Sequence, residues 1–158
     1  MTMTTHHGAH DLVLMREFDA PREKLYRAWS DPDLLKQWFC PKPWGVSHAE
    51  LDLRAGGSSF IIMNGPDGEV VENRGVYLEV IPNEKLVFTD AYTSAWVPAE
   101  KPFMTGIVLF EDLGDGRTKY TAIARHWTED DKKAHEAMGF HEGWGMAADQ
   151  LAALVATL

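Results

Sequence analysis

Histidines give this sequence its widest choice of chemistry, because imidazole binds metal ions and exchanges protons near neutral pH. Three of the seven, His6, His7 and His10, lie close together at the N-terminus. This leader contains no carboxylate to orient them, so we expect no metal site there. His126, near the end of the last predicted strand, and His141, at the edge of a buried helical stripe, are predicted to meet at a cavity mouth. Alternatively, both are partly exposed and hydrogen-bonded to backbone or water.

The other histidines add no metal pattern. On a continuous C-terminal helix His135 projects about 140° from Phe140 and is expected to be solvated, while His48 has no assignable face. The sequence has no His-Glu-x-x-His motif, and two histidines without a clear third ligand do not specify a site. We therefore predict neither a metal nor a cofactor.

Cys40 is the sole cysteine and the candidate nucleophile. It would react if a histidine lowered its pKa, but between Phe39 and Pro41 it suits a small buried hydrophobe equally well. The chain has no Gly-x-Ser-x-Gly motif, and its glycine-rich turns lack the lysine of a phosphate-binding loop. No catalytic residue is predicted.

Aromatic side chains are more informative, since six Trp and seven Phe exceed what one small core obviously needs. They either fill a core between sheet and helix or line a cavity there, with a few polar groups to orient a guest. The small residues Ala122 and Ala124 share one strand face with two of the candidates, Tyr120 and His126, and would leave room if that face looks at the helix. For the charged candidates a solvated strand face is the alternative. The candidate cavity residues are Trp44, Phe60, Arg74, Asp90, Tyr120, His126, Phe140, His141 and Trp144.

The element that must position these residues is the C-terminal stretch 128–158, which is predicted to be one long helix. Its apolar residues fall on a single stripe, and Thr128 with three acidic residues after it marks the start. Gly139, Gly143 and Gly145 are unusual inside a helix. Each costs about 1 kcal/mol against alanine, so they indicate close backbone approach, a bend, or space left open beside the stripe.

The preceding chain is predicted to form a wall around this helix. A first strand, 11–18, is followed by two short helices, the first starting at Pro21 and the second at Pro32. Turn signals then separate six more strands into antiparallel hairpins. The loop 93–102 is too long for a tight hairpin and is expected to border a ligand site as a mobile flap. The six strands are predicted at 47–53, 58–63, 70–81, 85–92, 104–111 and 119–127.

Composition limits the classes of function. The 158 residues suit one domain, which we place at 11–158 after a flexible leader, 1–10. A net charge of −9 repels phosphate backbones and anionic membranes, so neither nucleic acid nor membrane insertion is expected. No apolar run reaches the roughly 18 residues of a membrane span, and no signal peptide is evident. A single cysteine excludes an internal disulfide and favours the cytoplasm.

Several motifs occur in the order of a known family. They are DAPREKLYRAW at 19–29, DP at 31–32, WF at 38–39, DLRAGG at 52–57, GVYLEVIP at 75–82 with KL at 85–86, and GW at 143–144. Together they resemble the family named after the C-terminal domain of the activator of heat-shock chaperone ATPase (Aha-type), within the START-like or SRPBCC superfamily. The resemblance implies an α+β helix-grip fold, in which a seven-stranded curved antiparallel sheet wraps around a long C-terminal helix.

The resemblance leaves three functions open. The first is binding of a small apolar or aromatic molecule between sheet and helix. The second is a cyclase or dehydratase acting on a polyketide-like substrate in that cavity. The third is a protein-interaction module with a chaperone partner. A homodimer is also possible, and the fold alone does not decide among these functions.

Overall fold

The computed structural model describes residues 8–158, so residues 1–7 of the predicted leader lie outside it. Seven strands form one antiparallel sheet in the order β1-β9-β8-β5-β4-β3-β2, and β6 pairs with β7 in a separate ribbon. The predicted helix-grip architecture is confirmed. The elements are β1 Asp11–Phe18, α1 Arg22–Ser30, α2 Pro32–Leu35, β2 Gly45–Leu51, β3 Ser58–Asn64, β4 Val70–Ile81, β5 Lys85–Thr89, β6 Tyr92–Ser94, β7 Val97–Pro98, β8 Thr105–Gly114, β9 Arg117–Arg125, α3 Glu129–Ala137 and α4 Phe140–Val155.

One face of the sheet, here called the inner face, packs against α1 and α4. Ala122 of β9 and Ala148 of α4 are both buried in the main hydrophobic cluster, which also contains Leu25 of α1 and Phe110 of β8. Burial of these side chains supplies the main driving force for the layered arrangement. None of the helices between residues 8 and 158 is long and apolar enough to cross a bilayer.

The two short helices after β1 form where the sequence predicts them. Asp31 begins α2, because its carboxylate accepts hydrogen bonds from the backbone N–H groups of Asp33 at 2.9 Å and Leu34 at 3.4 Å. Trp38 then folds back, and its indole Nε1 donates to the Ala28 carbonyl oxygen at 3.0 Å. This bond fixes the aromatic segment after α2 against α1.

Some strand ends differ from the sequence prediction by up to three residues, as at β5 and β8. Strand β5 ends at Thr89, three residues before the predicted end. The predicted loop 93–102 overlaps the β6–β7 ribbon, and within it Trp96 has a φ of 65°. Residues 90–104 therefore contain regular structure that the sequence did not indicate.

The prediction of one continuous C-terminal helix was wrong. Gly139 has a φ of 91° and separates α3 from α4. Such a left-handed backbone conformation ends a helix and is accessible to glycine at little cost. Thr128 does cap α3, since its Oγ1 accepts from the Asp131 N–H at 3.1 Å. Because of the break, the direction of an α3 side chain relative to α4 cannot be obtained by counting 100° per residue through Gly139.

Candidate ligand-binding cavity

A cavity of about 340 Å³ lies between the inner face of the sheet, the segment after α2, and α4. Its volume falls within the range of roughly 300–1,000 Å³ typical of small-molecule sites. A second lobe of about 80 Å³ extends between β3, β4 and β5. Six residues border both lobes: Trp29, Phe39, Asn73, Phe88, Phe103 and Met104.

Small residues on α4 leave space beside the aromatic walls. Gly143, Ala147 and Ala148 face the cavity, and a Cβ atom placed on Gly143 would meet only Pro41 Cγ, at 3.9 Å. Two of the three glycines that are unfavourable inside a helix therefore have a structural role. Gly139 breaks the helix, and Gly143 keeps the cavity wall thin.

On the opposite wall, one glycine positions a ring. A Cβ atom on Gly106 of β8 would lie 2.4 Å from the Phe88 ring, a distance that forbids any larger residue without displacement of the ring. The Phe88 ring can therefore lie close to the β8 backbone at Gly106, where it borders both lobes.

Asp90 is the charged residue of the smaller lobe. Its two carboxylate oxygens accept from the Phe103 backbone N–H at 2.8 and 3.0 Å, and its Oδ1 also accepts from the Met104 N–H at 3.1 Å. These charge-assisted bonds hold residues 103 and 104 at the cavity wall. The carboxylate thus has a structural role in shaping the site.

Tyr120 lies on the wall of the larger lobe and is almost fully buried. Its hydroxyl oxygen accepts a hydrogen bond from Trp29 Nε1 at 3.3 Å. Burial raises the pKa of the phenol, and the Trp29 bond offsets part of this rise. The hydroxyl is accordingly neutral at physiological pH.

A pair of buried histidines stands beside the cavity. His126 Nε2 lies 2.8 Å from His135 Nδ1, and His126 Nδ1 lies 2.9 Å from the His10 carbonyl oxygen. His135 borders the cavity, whereas His126 stands behind it. Burial, and secondarily the neighbouring His126, lower the pKa of His135 to about 4.

The structure brings together some of the predicted cavity residues. Tyr120, Phe140 and Trp144 border the larger lobe, and Asp90 borders the smaller one. His126 is not among the residues that border the two lobes, but it is hydrogen-bonded to His135, which borders the larger one. It does not meet His141, which is exposed and has its Nε2 3.9 Å from Glu136 Oε2.

Three other predicted residues lie away from both lobes. Phe60 and Arg74 occupy the outer face of the sheet, where the guanidinium carbon lies 3.8 Å from the centre of the phenyl ring. Their immediate neighbours Ile61 and Asn73 face inward and border the cavity, because successive strand residues point to opposite faces. Trp44 is half-buried in the turn before β2 and does not border either lobe.

A model of the family described as "Activator of Hsp90 ATPase homolog 1-like protein" matches residues 19–156. This chain belongs to that family. The resemblance indicated by the sequence motifs is thereby confirmed. A comparison with curated proteins gives no match.

Solved structures of similar proteins share the whole fold of this family member. A crystal structure from Nitrosomonas europaea is 40% identical, with 96% of this chain and 97% of that chain covered and a TM-score of 0.91. A solution structure from Arthrobacter aurescens is 25% identical, with coverages of 95% and 88% and a TM-score of 0.80. A crystal structure from Mycobacterium smegmatis is 27% identical, with coverages of 91% and 89% and a TM-score of 0.76.

Sequence reasoning missed His135, Asn73 and Phe103 as cavity residues of this family member. His135 was expected to be solvated, but only 7% of it is exposed. The expectation failed because it assumed a continuous helix through Gly139. Glycine as a helix stop was the available signal. Asn73 lies next to the predicted Arg74, so the correct strand parity would have found it.

Proposed function

We propose that this protein binds a small hydrophobic or aromatic molecule in the cavity between the sheet and α4. The observation that carries the proposal is the 340 Å³ volume with aromatic and aliphatic walls and few polar groups. Transfer of apolar surface from water into such a site stabilises a complex by roughly 25 cal/mol per Å² before the costs of association. Membership of the family is compatible with a ligand-binding fold.

The cyclase or dehydratase alternative has less support. It needs a group that exchanges a proton near neutral pH, yet the pKa of His135 is lowered to about 4 by burial and by His126. Burial raises the pKa of the Cys40 thiol to about 11, so at neutral pH the nucleophilic thiolate is scarce. Both observations favour binding over turnover.

Native mass spectrometry of the protein purified from its own host is the first test. The proposal predicts an intact mass that exceeds the denatured mass by one small molecule, which is released as an apolar compound. A clean chain mass, combined with capture of a chaperone from the same host, would instead favour the protein-interaction alternative.

A pair of variants tests the location of binding. Ala147 faces the cavity and is 8% exposed, whereas Ala153 of the same helix is exposed to solvent. Ala147→Leu places three extra heavy atoms in the cavity and should weaken binding of 2-methoxynaphthalene at least tenfold. Ala153→Leu is the matched control and should bind like the wild type.

Isothermal titration calorimetry measures the affinities, and thermal unfolding checks that both variants fold. Equal binding of 2-methoxynaphthalene by the wild type and the folded Ala147→Leu variant would place its site elsewhere and contradict the proposal.

A further inference from the structure

The hydrogen bonds of the histidine pair determine where its protons lie. A carbonyl oxygen can only accept, so His126 Nδ1, 2.9 Å from the His10 oxygen, must carry a proton. In a neutral imidazole the other nitrogen then has a lone pair, and His126 Nε2 is an acceptor. The contact of 2.8 Å to His135 Nδ1 therefore requires a proton on that nitrogen. With both rings neutral, His135 Nε2 is left as an unprotonated acceptor.

Aromatic rings surround His135 at the cavity. Its ring centre lies 4.7 Å from that of Phe103, 5.2 Å from that of Phe140 and 6.0 Å from that of Trp144. All four residues border the larger lobe. Within residues 8–158 we find no hydrogen-bond donor for His135 Nε2. Because His135 borders the cavity, this nitrogen can accept a hydrogen bond from a bound donor, and such a bond contributes a net of about 1 kcal/mol.

We propose that the cavity selects a neutral aromatic molecule bearing a hydroxyl or N–H group, which donates a hydrogen bond to His135 Nε2. This inference rests on the proposed binding function and specifies its ligand class. His126 and the His10 carbonyl act as positioning groups, because they hold the His135 proton on Nδ1 and leave Nε2 available.

The chemistry of the site opposes the other ligand classes. A carboxylate or phosphate ligand would bring its lone pairs against that of His135 Nε2, and the low pKa of this ring means that it provides no positive charge near pH 7. A permanently charged cation would lose its hydration in a lobe with mostly apolar walls. A neutral phenol, aromatic alcohol or aromatic amine carries no charge and can donate a hydrogen bond to His135 Nε2.

Two probes of nearly equal shape test the inference. 2-Naphthol carries a donor, and 2-methoxynaphthalene has the same ring system without one. Wild-type protein should bind 2-naphthol about fivefold more tightly, the ratio that one net hydrogen bond supplies. His135→Asn keeps an amide N–H near the Nδ1 position but removes the Nε2 acceptor. It should lose that preference, so that the ratio of its affinities for the two probes falls to about one.

His48→Asn is the matched control, because its imidazole is half-exposed and packs on Phe60 of the outer face. It should keep the fivefold preference in calorimetry. Equal wild-type affinities for the two probes, or a preference retained by His135→Asn, would overturn the inference while leaving the binding function intact. Binding of neither probe by the wild type would overturn both.

A measurement that needs no variant tests the proton assignment directly. Imidazole ¹⁵N chemical shifts distinguish protonated from unprotonated ring nitrogens, and His135 Nε2 should appear unprotonated at pH 7. Its resonance should move on addition of 2-naphthol and move much less with 2-methoxynaphthalene. A protonated Nε2 would overturn the inference even if His135→Asn failed to fold.

Discussion

Acidification should destabilise this protein through His135, and the size of the effect can be worked out. The pKa is lowered from 6.5, the value of an unperturbed histidine, to about 4 in the folded state. Between these values the unfolded chain binds a proton that the folded chain does not, so the free energy of unfolding falls as pH decreases. The full shift corresponds to at most about 3 kcal/mol. Because water entering the cavity screens part of it, we expect about 2 kcal/mol.

His135→Asn isolates this contribution from the other groups that titrate in the same range. Urea unfolding of both proteins, followed from pH 7.5 to pH 4, gives the difference in their free energies of unfolding at each pH. The wild type should lose about 2 kcal/mol more than the variant, with most of the change between pH 6.5 and 4. Parallel curves would show that His135 has an ordinary pKa and would refute the description of it as buried and neutral.

Further predictions concern the helix break and the carboxylate at the cavity wall. Gly139→Ala should destabilise the fold by about 1–2 kcal/mol, because φ is 91° there. Gly145→Ala should instead stabilise it by up to about 1 kcal/mol, because the added Cβ meets nothing within 4 Å. Thermal unfolding of the two variants checks the opposite signs, and equal effects would contradict the assigned helix break. Asp90→Asn should cost about 2 kcal/mol in urea unfolding, because its carboxylate accepts from two backbone N–H groups. Asp112→Asn, at an exposed carboxylate with one such bond, is the control, and an equal loss in both would contradict the structural role of Asp90.

The order of elements could be predicted because each depends on local patterns. Alternating residues and turn signals located the strands of the sheet, and proline and aspartate marked the starts of α1 and α2. Such signals need no knowledge of distant contacts. By contrast, Ala122 and Ala124 of β9 were expected to leave room only if their face looked at the helix, and the structure shows that both are fully buried.

The candidate site was less predictable because strand parity does not reveal which face is inside. Phe60 and Arg74 were both predicted as cavity residues but lie on the outer face, one residue from the inward-facing Ile61 and Asn73. A shift of one position in a strand reverses the direction of the side chain. Only the packing of α4 against the sheet decides between the two faces.

Gly139 links the helix break to the chemistry proposed for the cavity. On an unbroken helix His135 would point about 140° away from Phe140, yet the two ring centres lie 5.2 Å apart. The left-handed conformation of one glycine turns α3 so that its buried histidine faces His126 and the cavity. The glycine that is unfavourable inside a helix therefore brings this histidine to the part of the cavity wall formed by Phe103, Phe140 and Trp144. Loss of the break should remove both the acid sensitivity and the donor preference, since each depends on the same position of His135.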